Sequence, residues 1–165
     1  MALPFRLDEG IFLEDIQVLI PWGTPREQLR EIAAPEVHVS SPGRVLYAWR
    51  DHHCLGGQKS ILQAEFHDVA VYGQEIYQDR IFKYMAVYPV AFLDVDNPRK
   101  TYDETRAYLI DILGAPTCSI DYRASRGYPS TRWEYDAIKV ELFIYDKNGD
   151  VFHLGISKHY DEEPG

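Results

Sequence analysis

Cysteine is nearly absent. Cys54 and Cys118 are the only two in 165 residues. That is too few for a disulfide framework, and a reducing, cytoplasmic setting is expected. No apolar run reaches the ~18 residues that a membrane-spanning helix needs. No basic, then apolar, then small-residue leader opens the chain, so no signal peptide is expected, and no membrane association either. Positive charge is also scarce: 17 Lys and Arg stand against 26 Asp and Glu, for a formal net charge of −9. Such a surface repels nucleic-acid phosphates and anionic lipid, so no nucleic-acid partner is expected. It suits a basic protein partner, although acidic balance is also ordinary for soluble proteins. Catalytic signatures are missing as well. There is no glycine-rich phosphate loop, no G-x-S-x-G elbow and no H-E-x-x-H helix.

What the chain does have is strand signal. Hydrophobic residues make up 45%, enough for a core, and this excludes disorder except at the ends. Ile138, Val140, Leu142 and Ile144 alternate with Lys139, Glu141, Phe143 and Tyr145, a period of two with one apolar face. The stretch Asp146-Lys147-Asn148-Gly149-Asp150 follows, and Asn-Gly supplies the positive φ angles of a tight turn. Phe152, Leu154 and Ile156 then form the apolar side of a second strand. Trp133-Glu134-Tyr135 reads as the end of an earlier strand, which makes a three-stranded meander. The turn contains pieces of a calcium loop but lacks the later ligands and the closing Glu, and it reads as a plain turn.

Upstream, residues 5–20 read as extended, with Pro21 closing the run. Thr24-Pro25-Arg26-Glu27 forms a capping box for a short helix stopped by Pro35. Val45 to Trp49 reads as a strand, residues 50–59 as a polar loop, residues 61–71 as a strand, residues 72–79 as a hairpin turn, and residues 81–88 as an aromatic strand. Thr101-Tyr102-Asp103-Glu104 is a second capping box. Thr105, Tyr108, Leu109, Ile112 and Leu113 continue it at helical spacing to Gly114 and Pro116. Residues 117–128 read as loop with an edge strand around Ile120, and residues 159–165 as a frayed tail.

The order therefore occurs twice: a T-x-x-E helix, a proline stop, a strand ending in Trp49 or Trp133, and two longer strands. True duplication and two ordinary units of one kind both fit this pattern. The expected fold is α+β: two tandem helix-plus-three-strand units, residues 1–96 with an N-terminal strand and residues 97–165, in a mostly antiparallel sheet with helices on one face. One such unit buries too little alone, so the two are expected to share a core. On the Gly23-Thr24 helix entry, the Leu113-Gly114-Ala115-Pro116 exit and the aromatic strands, the pattern resembles the tandem repeats of β-lactamase inhibitor protein and its relatives. It also resembles the small immunity proteins that bacteria keep against their own toxins. The resemblance implies a protein inhibitor, and it assigns no residue.

His52-His53-Cys54 is the one cluster that suggests metal or nucleophile chemistry. It lacks the paired spacing of a zinc site, and neighbouring strand residues point opposite ways, so no metal and no cofactor is expected. Cys54 with His52 or His67 could be imagined as a nucleophile pair, but a small buried thiol accounts for it as well. Asp94, Asp96, Asp103 and Glu104 flank a turn and a helix start, which explains them without catalysis.

The remaining chemistry lies on the surface. Twelve tyrosines are many for this length, and most fall in strands or their loops. Tyrosine offers rigid area and a hydroxyl, which suits interfaces. With Ile138 and its partners facing inward, Glu141, Phe143 and Tyr145 face outward. By the same alternation Glu65 and His67 face outward, and Tyr84 joins them on its own aromatic strand. Phe143 also fits a second buried layer. The expectation is a non-catalytic binding protein, an immunity or inhibitor protein against a basic toxin, using Glu65, His67, Tyr84, Glu141, Phe143 and Tyr145. Alternatives are a small-molecule module with an aromatic-lined cavity, a structural subunit of a larger assembly and, behind these, a hydrolase.

Overall fold

The computed structural model describes residues 2–40, 43–67, 80–120 and 128–160. A small antiparallel hairpin comes first, β1 (Gly10–Leu13) with β2 (Val18–Pro21). Eight further strands form one antiparallel sheet. They are β3 (Glu36–Ser40), β4 (Arg44–Cys54), β5 (Gln58–His67), β6 (Tyr84–Pro89), β7 (Cys118–Ile120), β8 (Ser130–Tyr135), β9 (Ile138–Asp146) and β10 (Asp150–Lys158). Their order in space is β3-β4-β5-β6-β10-β9-β8-β7. Two four-stranded meanders thus meet where β6 pairs with β10. The α-helix of the described residues, α1 (Pro98–Leu113), connects them.

Alternation decides which face is buried. Ile138, Val140, Leu142 and Ile144 of β9 are buried, as are Phe152, Leu154 and Ile156 of β10. Asn148 and Gly149 take φ of 56° and 127° in the connecting turn, and Asp146 Oδ1 accepts from the Gly149 amide at 3.1 Å. Residues opposite one another carry the apolar row across the sheet: Trp49 with Leu62 and Leu62 with Val87, then Met85 with Ile156, Ile156 with Val140 and Val140 with Trp133. All seven are buried, and they belong to one hydrophobic cluster drawn from both meanders.

Two elements cover this face. Helix α1 buries Thr101, Tyr102, Thr105 and Leu109, one stripe at helical spacing. Tyr102 and the fully buried Thr131 share a hydrogen bond of 2.7 Å, and Arg106 Nε donates to the same Thr131 oxygen at 3.2 Å. The β1–β2 hairpin covers the other half through Ile11, Leu13 and Ile20. Its turn is stapled to the β4–β5 turn. Glu14 accepts from the amides of Gly56 and Gly57 at 3.1 and 2.7 Å, and Asp15 accepts from the His53 amide at 2.9 Å.

The expected α+β plan, with two helix-plus-three-strand units and helices on one sheet face, is not what forms. The described residues are dominated by antiparallel sheet and hold one substantial helix, and each half contributes four strands to the sheet. The segment after Thr24 makes only a six-residue 3-10 turn, Arg26–Glu31. Its side chains give no capping bond, because the Thr24 hydroxyl donates to the Pro21 carbonyl instead. Ala33 and Ala34 then take positive φ. A helix confined between Pro25 and Pro35 is too short to repay its nucleation. Helix α1 also begins earlier than the Thr101 capping box predicts. Asn97 is the cap, accepting from the Lys100 amide at 3.1 Å with Pro98 next, while Thr101 lies inside the helix and is buried. The expected polar loop at 50–59 is mostly strand, since β4 runs through His52 and His53 after a bulge at which Asp51 takes φ of 63°. The expected hairpin turn at 72–79 and the end of the tail, 161–165, lie outside the described residues.

The two tryptophans of the apolar row make the same bond at opposite ends of the sheet. Trp49 Nε1 donates to the Ile32 carbonyl at 2.8 Å, where the 3-10 turn ends. Trp133 Nε1 donates to the Gly114 carbonyl at 2.9 Å, where α1 ends. Each indole thus locks a helical terminus onto the sheet. Trp49→Phe and Trp133→Phe should each lower the unfolding free energy by about 1–3 kcal/mol, through an unpaired carbonyl and a smaller ring. Urea denaturation followed by far-UV circular dichroism measures this.

Candidate functional site

Helix α1 and the β1–β2 hairpin both lie on the core face. That leaves the opposite face as the free surface of the sheet among the described residues. Its centre is small. Gly155 of β10 lies opposite Ala86 of β6 and Glu141 of β9. A Cβ at position 155 would overlap the hydroxyl and ring of Tyr84, so Tyr84 lies flat over that glycine.

Around this gap the aromatic side chains converge on one imidazole. The Tyr84 ring stacks on His153 with centroids 5.8 Å apart and planes at 18°. Phe143 lies 4.9 Å from His153, and Tyr88 and Tyr145 meet it edge-on at 6.3 and 6.4 Å. Phe143 and Tyr145 also touch each other at 5.8 Å. Tyr84 Oη and His153 Nε2 share a short hydrogen bond.

Burial keeps this cluster neutral. It pushes the His153 pKa down, against a weaker upward pull from Glu141. It pushes the Tyr84 phenol up, and the Glu141 charge adds to the rise. The Tyr88 phenol is raised for the same first reason, with Tyr145 and Glu65 adding to it. The result is a π-rich, uncharged patch bordered by carboxylates. Aromatic faces next to carboxylates attract Arg and Lys side chains.

The structure brings together four of the six residues singled out from sequence: Tyr84, Glu141, Phe143 and Tyr145. Glu141 is paired with Lys139 at 3.7 Å. Phe143 and Tyr145 are half-buried, and Tyr84 is 38% exposed. Glu65 and His67 share the face but stand further along β5 in an ionic group, with Arg44 Nε 2.6 Å and His67 Nε2 3.2 Å from Glu65. The alternation missed His153 and Tyr88. The signal for His153 was available, because an Asn-Gly turn that pairs Asp146 with Asp150 sets His153 opposite Phe143.

The His52-His53-Cys54 cluster is spoken for. His52 Nδ1 lies 3.0 Å from Asp15 Oδ2 in the clamp on the β4–β5 turn. Burial pushes the Cys54 thiol up to about 12, so it stays protonated and is a poor nucleophile. Among the described residues no group of three or more His, Cys, Asp or Glu is arranged to hold a metal ion. No helix among them is long and apolar enough to cross a membrane.

Two outcomes test the cluster. Gly155→Ala should displace Tyr84 and destabilise the fold by about 1–3 kcal/mol, and the His153 ring resonances should move in the NMR spectrum. The second outcome concerns acid. Because the folded pKa of His153 lies below the ordinary 6.5, the unfolded chain takes up the proton first as pH falls. The contribution of His153 to stability is therefore full above that value and is lost as pH falls towards the folded pKa. His153→Phe should flatten this part of the stability–pH curve.

Comparison with protein-family models, with characterised proteins and with solved structures finds no match for this chain.

Proposed function

We propose that the open sheet face is a docking surface for a basic protein partner, and that the chain is a stoichiometric inhibitor or immunity protein acting in a reducing compartment. The observation that carries this reading is the neutral aromatic cluster around His153, bordered by Glu141, on the sheet face that no described element covers. Tyrosine and phenylalanine held by their neighbours lose little entropy when a partner covers them, which is the character of an interface centre. The chain's charge of −9 would speed the approach of a cationic partner. Its two cysteines are both free thiols, in keeping with a reducing compartment.

The test is binding to the purified product of the neighbouring gene, measured by surface plasmon resonance at low and physiological salt. Tyr145→Ala and Phe143→Ala should each weaken the complex by about 2 kcal/mol, mostly through the off-rate. Glu141→Gln should slow association and reduce its dependence on salt. Unchanged affinity in the triple variant Glu65→Gln, Glu141→Gln, Tyr145→Ala would remove this face from consideration.

A further inference from the structure

An acidic chain concentrates its lysines in one place. Of six lysines in the sequence, three line a single groove of about 590 Å3: Lys83, Lys139 and Lys158. They come from three different elements, the approach to β6, the start of β9 and the end of β10. Sequence alone does not show this convergence. The groove's walls are tied together by backbone bonds. The Lys158 amide donates to the Lys83 carbonyl at 3.0 Å, and the His159 amide donates to the Ala137 carbonyl at 2.7 Å.

The groove combines charge with aromatic surface. Tyr84 and Tyr160 line it, and Ile138 and Ala137 supply apolar floor. Lys158 Nζ sits 5.3 Å from the centre of the Tyr160 ring. Burial raises the Tyr160 phenol, and the charge of Lys83 pulls against that rise. Glu134 and Asp136 also line the groove, and Lys139 is shared with Glu141 at 3.7 Å. With these rim partners, Glu141 on Lys139 and Arg132 on Glu134 at 3.6 Å, four cationic side chains face three carboxylates, within a chain of net charge −9. Its volume is that of a small-ligand site.

We propose that this groove binds a small anionic ligand, an aromatic body carrying one phosphate or carboxylate group. The anion would sit among Lys83, Lys139 and Lys158, and the ring would pack between Tyr84 and Tyr160. This is independent of the docking surface, apart from the shared side chain of Tyr84.

The experiment titrates the full chain, labelled with 15N, with phenyl phosphate, benzoate, phenol and inorganic phosphate. Phenyl phosphate or benzoate should shift the amides of Lys83, Ala137 and Lys158 saturably, and the stronger of the two identifies the anion. Phenol and inorganic phosphate should each bind about tenfold more weakly, since each keeps only half of the contacts. Lys139→Gln with Lys158→Gln should weaken the binding by about tenfold or more. Tyr145→Ala, which alters the docking surface only, should leave it unchanged. The proposal is overturned if neither aromatic anion shifts these amides at millimolar concentration. Phenol or phosphate alone binding as tightly as the combined ligand overturns it, and so does a double lysine variant that binds as well as the parent.

Discussion

The short pairing between β6 and β10 is the constraint on which the rest of the molecule depends. Three residue pairs make it: Gly155 with Ala86, Ile156 with Met85, and Ser157 with Tyr84. It joins two meanders that would otherwise each end in an open strand edge. On the core side, Met85 and Ile156 carry the apolar row through the seam without a gap. On the open side, Ala86 and Gly155 leave a shallow trough. A larger residue at Gly155 would fill the space that Tyr84 occupies. The seam therefore does two jobs with one register, closing the core and seating the aromatic cluster.

Much of the sheet was legible because half-buried strands announce themselves by alternation. Residues 138–145 and 151–156 needed only their period and an Asn-Gly turn, and the outward set Glu141, Phe143 and Tyr145 followed from it. The illegible parts have different causes. Capping residues at Thr24 promised a helix, but two prolines left no length for one, so a local cue lost to chain geometry. The run through His52 and His53 looked like a loop, because a bulge interrupts the period that marks a strand. The eight-strand order could not be read at all, since β6 finds β10 across more than sixty intervening positions and no local preference encodes that choice. The turn register places His153 opposite Phe143, but its bond to Tyr84 depends on that same distant pairing.

Charge is distributed unevenly over this fold. Carboxylates dominate the chain, yet the middle of the open face is neutral and the neighbouring groove is lysine-lined. Tyr84 belongs to both places, its ring over Gly155 and its flank in the groove. Burial that holds the Tyr84 phenol protonated keeps a negative charge from forming between them. The two regions are thus electrostatically distinct and mechanically joined through one side chain.

The three tryptophans report on separate territories. Trp22 stacks on Phe82 at 4.7 Å and donates to the Leu7 carbonyl at 2.8 Å, inside the N-terminal cover of the sheet. Trp49 closes one meander and Trp133 the other, each through its indole N–H. Every one of those protons is held by a main-chain oxygen that belongs to a different element. Solvent exchange of the three indole protons would therefore act as three internal clocks. Equal clocks mean that the sheet opens as a single unit, and unequal ones reveal which meander lets go first.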